Sequence, residues 1–261
     1  MRLIVIIIAA LAVFIALPVL LAGPGTRFGL WDYTLGLTMI RKAALPVLAA
    51  GGVSLLAGVA AAVMKEGGAA VLAIIAALVA GGAGLIPIKM KASFEANPFI
   101  HEVTTDFDNP PAIIEAKDLP RKNPAEYRGA DPVPQRTDGQ TVAEAQREAF
   151  PDIVPIIVRA DLAAATAAAK NVVTGMGMEI LADGPADATA GGGWRIEAVA
   201  TSQWFGFKDD FVVRLTPIED GKTRVDLRSK SRVGGSDLGA NAARAREFSK
   251  RFNATMPPAA G

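Results

Sequence analysis

The chain has 261 residues, is 51% hydrophobic and carries 27 Lys and Arg against 26 Asp and Glu, for a net charge of +1. It has no Cys, which excludes disulfides, thiolate metal sites and thiol nucleophiles. The balance of charge hides a split: residues 1–88 hold five basic and two acidic residues, whereas residues 89–261 hold 22 and 24. A net-acidic second part with no reader motif argues against nucleic acid as a partner.

Three apolar runs open the chain, at about 3–21, 43–64 and 69–88, and no Asp, Glu, Lys, Arg or His interrupts them. In Leu3–Leu21, 14 of 19 residues are Leu, Ile, Val or Phe. A helix crossing a bilayer core needs about 20 apolar residues. At roughly −0.3 to −0.6 kcal/mol per residue, this run inserts favourably. Arg2 gives it the basic start of a signal peptide, but the sequence near Leu20-Leu21-Ala22 lacks the small residue wanted for cleavage, so an uncleaved anchor is expected. Lys65, Glu66, Gly67 and Gly68 alone separate the second and third runs, which predicts a tight antiparallel hairpin. Ala50, Ser54, Gly58 and Ala62 recur every four residues in one helix, and Ala69, Ala73, Ala77 and Gly81 in the other. Small residues at that spacing let backbones approach, within the hairpin or in self-association through the second and third helices. Without an ionisable group in the spans, a channel or pump is not expected.

The flanking charges bear on topology. Arg2 and Lys65 lie on one side of the expected bundle, and Arg27, Arg41, Lys42, Lys89 and Lys91 on the other. The positive-inside rule then puts the second part of the chain in the cytoplasm, while the basic amino end of the first helix argues the reverse.

Residues 89–150 read as a linker or a surface-wrapping segment, since Pro98, Pro110, Pro111, Pro120, Pro124, Pro132 and Pro134 block regular hydrogen bonding. A short helix is expected within Asp138–Phe150, with Glu144 and Glu148 exposed. Residues 151–255 read as an α+β domain, and 256–261 as a tail. Ile153–Arg159 predicts a strand, and Asp161 caps a helix through Thr174 that Gly175 and Gly177 end. Met178–Leu181 is a short strand, and Gly191-Gly192-Gly193 a flexible loop. Period-two alternation in Trp194–Ser202, Phe211–Pro217 and Thr223–Arg232 marks half-buried strands, the last two joined by a turn at Gly221. A final helix from about Asp237 to Asn253 carries Leu238, Ala242, Ala245, Phe248 and Phe252 on one face. The fold class is therefore three N-terminal transmembrane helices followed by an antiparallel sheet covered by two helices.

The alternation points Arg195, Arg214, Arg224, Arg228, Lys230 and Arg232 to one face of the sheet, with Glu197 and Asp226 among them. Such a face binds phosphates, anionic lipid headgroups or acidic polymers. It equally forms cross-strand ion pairs with residues 89–190, which hold 16 acidic residues. Trp204, Phe205 and Phe207 surround Gly206 between two strands; such residues tuck beneath a helix or, near a membrane, sit at its interface. His101 is the only histidine, with Glu102, Asp106 and Asp108 close behind. This is too few ligands for a zinc site, so no metal is expected. Ser231 and Ser236 lack an elbow motif, so no catalytic residue is assigned.

Two stretches resemble a known family. Ile100-His101-Glu102-Val103-Thr104-Thr105-Asp106 with Asn109-Pro110-Pro111 is similar to its entry motif. Phe205-Gly206-Phe207-Lys208-Asp209-Asp210, Arg228 to Gly234, and Ser236-Asp237-Leu238-Gly239-Ala240-Asn241 are similar to its tail signature. The family is domain of unknown function 1499, and the resemblance covers about Phe99 to Phe252. It singles out His101, Asp106, Phe205, Gly206, Asp209, Ser231, Arg232, Gly234, Ser236, Asp237 and Asn241. It implies no activity and no cofactor. Relatives that look like lipoproteins imply an extracytoplasmic domain and shift the topology that way. Physically, Ser236 or Asp237 caps the last helix, and Arg232 beside that helix start is a second place for an anion.

The expectation is an integral protein of a bacterial inner membrane, non-catalytic, whose domain binds an anionic lipid, a glycan or another membrane protein. The alternatives are a hydrolase-like enzyme using His101, Asp106 and the Ser231–Asp237 corner, and an accessory subunit of a larger membrane complex.

Overall fold

A computed structural model describes residues 1–134, 136–186 and 193–256. The chain forms two compact units: Met1–Ser93 with Gln203–Gly206, and Phe94–Ser202 with Phe207 and the residues after it.

The first unit is built on α1 (Arg2–Arg27), α2 (Tyr33–Val63) and α3 (Gly67–Ala96), each long and apolar enough to cross a membrane. The helices outrun their apolar cores. The α2 helix starts ten residues before Ala43, because Asp32 caps it by accepting from the Thr34 amide at 2.9 Å. The packing is inside out relative to a water-soluble bundle. Ala9, Ala12, Ala61, Ala73 and Ala76 are buried between the helices, while Phe14 and Leu78 are 69% and 71% exposed. With no hydrophobic gain between helices in lipid, small residues win the interface because they admit backbone contact.

The buried row on α2 is Gly51, Ser54, Gly58 and Ala61, not the strict four-residue row expected, and Ala62 is exposed. An α-helix has 3.6 residues per turn, so a face held against a neighbour alternates steps of three and four. On α3, Ala69 and Ala73 are buried as expected, but Ala76, Ala80 and Ala83 replace Ala77 and Gly81. The approach is close: a Cβ on Gly58 would stand 3.0 Å from Ile74 Cγ1, and Ser54 Oγ donates to the Ala73 carbonyl at 2.8 Å.

The second unit holds β1 (Glu102–Thr104), α4 (Val142–Ala149), β2 (Ile156–Val158), α5 (Leu162–Gly175), β3 (Glu179–Pro185), β4 (Trp194–Thr201), β5 (Lys208–Ile218), β6 (Lys222–Ser231) and α6 (Ala240–Thr255). The antiparallel sheet runs β1-β6-β5-β4-β3, and β2 pairs with β6 beyond β1. Asp220 and Gly221, both at φ near +60°, close the β5–β6 hairpin with the twist that tight hairpins need. Asp161 caps α5 by accepting from the Ala164 amide at 2.8 Å. A reciprocal Thr141–Glu144 capping box starts α4 within the stretch expected to be helical.

One face of the sheet carries Ile196, Ala198, Phe211, Val213, Leu215, Val225 and Leu227, buried with α5 and α6. Phe248 packs on Phe211 and Phe252, with centroids 5.5 and 5.6 Å apart. The other face is not open to solvent. Val212 lies in a second small core with Ile113, Ala116 and Ala125, contributed by residues 105–126. We call this largely irregular segment the strap. The strands are therefore buried on both sides, which corrects the half-buried reading.

Three further differences matter. β1 lies in what reads as linker, and its outer edge is closed by Gln146, whose amide bonds both the N–H and the carbonyl of Thr104, at 3.0 and 2.7 Å. β5 begins three residues earlier than the alternation implies, which brings Asp209 and Asp210 into the sheet. α6 begins at Ala240 rather than Asp237, because Leu238 and Gly239 turn left-handed. Gly191 and Gly192 of the expected loop, and residues 257–261 of the expected tail, lie outside the described residues.

Candidate functional site

The structure does bring the six sequence-predicted cations onto one face, but it turns that face inward. Arg214, Arg228, Lys230 and Arg232 are buried. A charge without water needs a partner, since desolvation costs several kcal/mol per ion. The partners come from β1, the strap and the sheet. Glu102 receives Lys230 at 2.9 Å and Arg228 at 3.0 Å. Asp106 and Asp226 share Arg214, at 2.8 and 3.1 Å, and also share Arg224, at 3.1 and 2.9 Å. Asp210 lies between Arg232 at 2.7 Å and Arg121 at 3.1 Å. Arg195 pairs with Glu197 and reaches Glu115 at 3.7 Å.

Backbone groups of the strap complete the pairing. The Glu197 carboxylate accepts three successive amides, from Ile114, Glu115 and Ala116, at 2.9, 3.1 and 2.7 Å. Arg228 donates to the Ala125 carbonyl and Lys230 to the Glu126 carbonyl, both at 2.8 Å. Burial pushes Lys230 below its usual value and Asp210 above, despite their partners. Tyr127 is pushed up to about 12, first by burial and then by Glu102. Arg121 and Asp210 are the participants that the alternation missed; Asp210 was hidden by the late placing of β5.

Of the tail-signature residues, Asp209, Ser231, Gly234, Ser236, Asp237 and Asn241 meet at the corner between β6 and α6. Asn241 is buried and spends its whole amide there. Its Nδ2 donates to Ser231 Oγ and the His101 carbonyl at 3.0 Å, and its Oδ1 accepts from Ser229 Oγ and Arg244 at 2.6 Å. Arg244 also holds Asp209 at 2.6 Å. Asp237 accepts from the Gly239 and Asn241 amides at 2.8 and 3.0 Å, and Ser236 Oγ from the Leu238 amide at 3.2 Å. The N-cap of α6 is Gly239, with no side-chain cap; of the two expected residues Asp237 reaches one amide inside the helix, that of Asn241, whereas Ser236 bonds the turn before it. Burial pushes the Asp237 carboxyl above its ordinary range. Gly234, at φ +91°, turns the chain there, and Asn123 of the strap ties its carbonyl and that of Ser231 at 2.8 and 2.9 Å.

Of the hydrolase-like constellation, His101 does reach the Ser231–Asp237 corner: its carbonyl accepts from the Ser231 amide at 2.9 Å and from Asn241 Nδ2 at 3.0 Å, while the polar side chains around it are engaged elsewhere. The His101 ring bonds the Gly235 carbonyl, and burial, then Lys230, lowers its pKa. Asp106 is held by two arginines, the Ser231 hydroxyl faces Asn241, and Asp237 faces two amides. Phe205 and Gly206 belong to the first unit. Among the described residues, no three His, Asp or Glu side chains are grouped to share a metal ion.

Fold and site together define a membrane protein in which three apolar helices precede an antiparallel α+β domain. The family described as "Protein of unknown function (DUF1499)" matches residues 102–252, more than half of the chain, and the chain belongs to that family. No curated protein and no solved structure matches it.

Proposed function

We propose that this is a non-catalytic protein of a bacterial inner membrane whose domain meets an anionic envelope component, a lipid headgroup or a glycan, at one margin of its charged face. The observation that supports this is the division of the basic set. Arg214, Arg228, Lys230 and Arg232 are enclosed and act as internal braces. Arg224 keeps 36% of its side chain exposed and Lys222 keeps 27%. Arg224 lies in register with Ile157 of β2, which is 41% exposed, and Lys222 with Ile218, which is 37% exposed. Arg159, two residues after Ile157, is exposed as well. Cations beside apolar side chains suit a headgroup layer, where the charge meets phosphate and the alkyl group meets the acyl boundary.

The test uses the full chain in zwitterionic nanodiscs, with an Arg159→Glu/Arg224→Glu variant of unchanged thermal stability. Wild type is retained on a sulfated-glycan matrix and by phosphatidylglycerol vesicles, weakening with salt, and the variant elutes early from one or both. Equal retention of the two proteins removes the anionic partner and leaves a protein partner, as in the accessory-subunit reading.

The same proposal places the domain outside the cytoplasm, as the lipoprotein-like relatives imply and against the flanking-charge count. A reporter fused after Gly261 that matures only outside the cytoplasm is expected to be active. Activity of a cytoplasm-only reporter instead reverses the assignment.

A further inference from the structure

The residues Gln203–Gly206 connect β4 to β5, yet they belong to the compact unit of the three apolar helices. Their contacts within that unit are specific. The Trp204 indole lies on Gly23 of α1 so closely that a Cβ there would stand 2.6 Å from Trp204 Cγ and Cδ2. A Cβ on Gly36 of α2 would stand 3.0 Å from Phe205 Cε1. The Arg27 guanidinium donates to the Gln203 carbonyl. Trp204 and Phe205 meet edge to face, with centroids 5.1 Å apart. Gly206 turns at φ +71°, a conformation glycine adopts at no steric cost.

The level of these contacts along α1 is the informative part. Gly23 follows the uncharged run and precedes Arg27, the next charge after Arg2. That is where the hydrocarbon layer ends and the headgroups begin, if α1 crosses a bilayer. Trp31 marks the same level: its indole N–H donates to the Ala22 carbonyl at 3.2 Å. Phe28 and Leu30 beside it are 76% and 72% exposed, apolar side chains with no reason to face bulk water. Indole prefers this layer because its ring is apolar and its N–H is polar.

We infer that the β4–β5 tip is a fourth, non-helical membrane contact: Trp204 sits in the headgroup layer of the bilayer, docked in the notch that Gly23 leaves on α1. The inference rests on the reading that the three helices cross that bilayer. It joins the two readings of this segment, since Trp204 and Phe205 do pack against helices, those of the first unit, at the level of the interface.

The experiment is depth-dependent fluorescence quenching of the full chain in nanodiscs whose lipids carry a quencher either near the headgroup or deep in the acyl chain. Trp31→Phe/Trp194→Phe leaves Trp204 as the sole indole, and Trp194→Phe/Trp204→Phe leaves Trp31 as a ruler. Both are expected to be quenched more by the shallow label than by the deep one, and weakly by aqueous iodide. If Trp31 responds to lipid quenchers while Trp204 responds to iodide alone, the inference fails and the bilayer reading stands. If neither responds to lipid quenchers, the bilayer reading fails with it. Since the chain has no Cys, a nitroxide on Gln203→Cys in the otherwise unchanged protein gives a second reading. Relaxation by a headgroup-restricted metal chelate supports the inference, and relaxation by a purely aqueous one overturns it.

Discussion

The two faces of the sheet solve the same problem by opposite chemistry. Under α5 and α6, Phe211, Val213 and Leu215 leave water by finding other apolar atoms, a gain of about 1.5–3 kcal/mol for a large side chain that needs no specific partner. Under the strap, Arg214, Arg228 and Lys230 leave water only because Asp106, Glu102 and several carbonyls stand in defined places. The first face tolerates a change of shape at the cost of a cavity. The second tolerates loss of a whole pair better than loss of one member.

That contrast can be broken most directly at Glu102, which accepts from Lys230, Arg228 and the Arg128 amide. Glu102→Leu leaves two enclosed cations short of their carboxylate and is expected to cost about 3–5 kcal/mol. Phe211→Ala on the other face costs a similar amount, about 3–5 kcal/mol, through its cavity. The double variants separate the two causes. Glu102→Leu/Lys230→Met regains much of the loss, since Arg228 keeps the Ala125 and Pro111 carbonyls. Phe211→Ala/Phe248→Ala regains nothing. Denaturant unfolding of the full chain in detergent measures all four. A Glu102→Leu cost near that of an exposed pair, roughly 0–1 kcal/mol, sinks the claim that the strap closes this face.

The two faces were also unequally legible. Apolar runs and alternation are local signals, so the three helices, the hairpin of β5 and β6 and the helix-facing residues Phe211, Val213 and Leu215 could be read directly. Alternation also assigned Arg214, Arg224 and Arg228 to the opposite face. It could not tell whether that face meets water, because the answer depends on residues more than 80 positions away, such as Ile114 on Glu197 and Glu102 on Arg228. The strap has no period to betray it: its prolines exclude a ladder, and its backbone groups bond partly to side chains, as at Glu197 and Arg228, and partly to scattered carbonyls such as those of Leu227 and Arg232. The 16 acidic residues of 89–190 were a cue to pairing, but charge counts carry no register. The role of Asp237 at the start of α6 was readable because its bonds reach only two and four residues ahead.

His101 stands where β1 meets the α6 corner, and it sharpens the comparison at its smallest scale. Its ring faces Lys230, Glu102, Asp237 and the Gly235 carbonyl, and burial with Lys230 outweighs the others, so its pKa lies below the ordinary 6.5. As pH falls through 6.5, the unfolded chain takes up this proton before the native one does. The unfolded state then binds more protons, and stability declines as pH falls. The contribution is full above 6.5 and lost through the lower native value. Asp237 has the opposite sign, because burial raises it above 3.8, so its contribution is present below 3.8 and fades as pH rises. His101→Gln removes only the first term. Wild type is expected to lose stability on acidification from above pH 6.5, and His101→Gln to lose less, by an amount smaller than the Glu102→Leu effect. Parallel unfolding curves across that range would show that the imidazole is as solvated in the native protein as in the unfolded chain, and that the corner is open where the geometry has it closed.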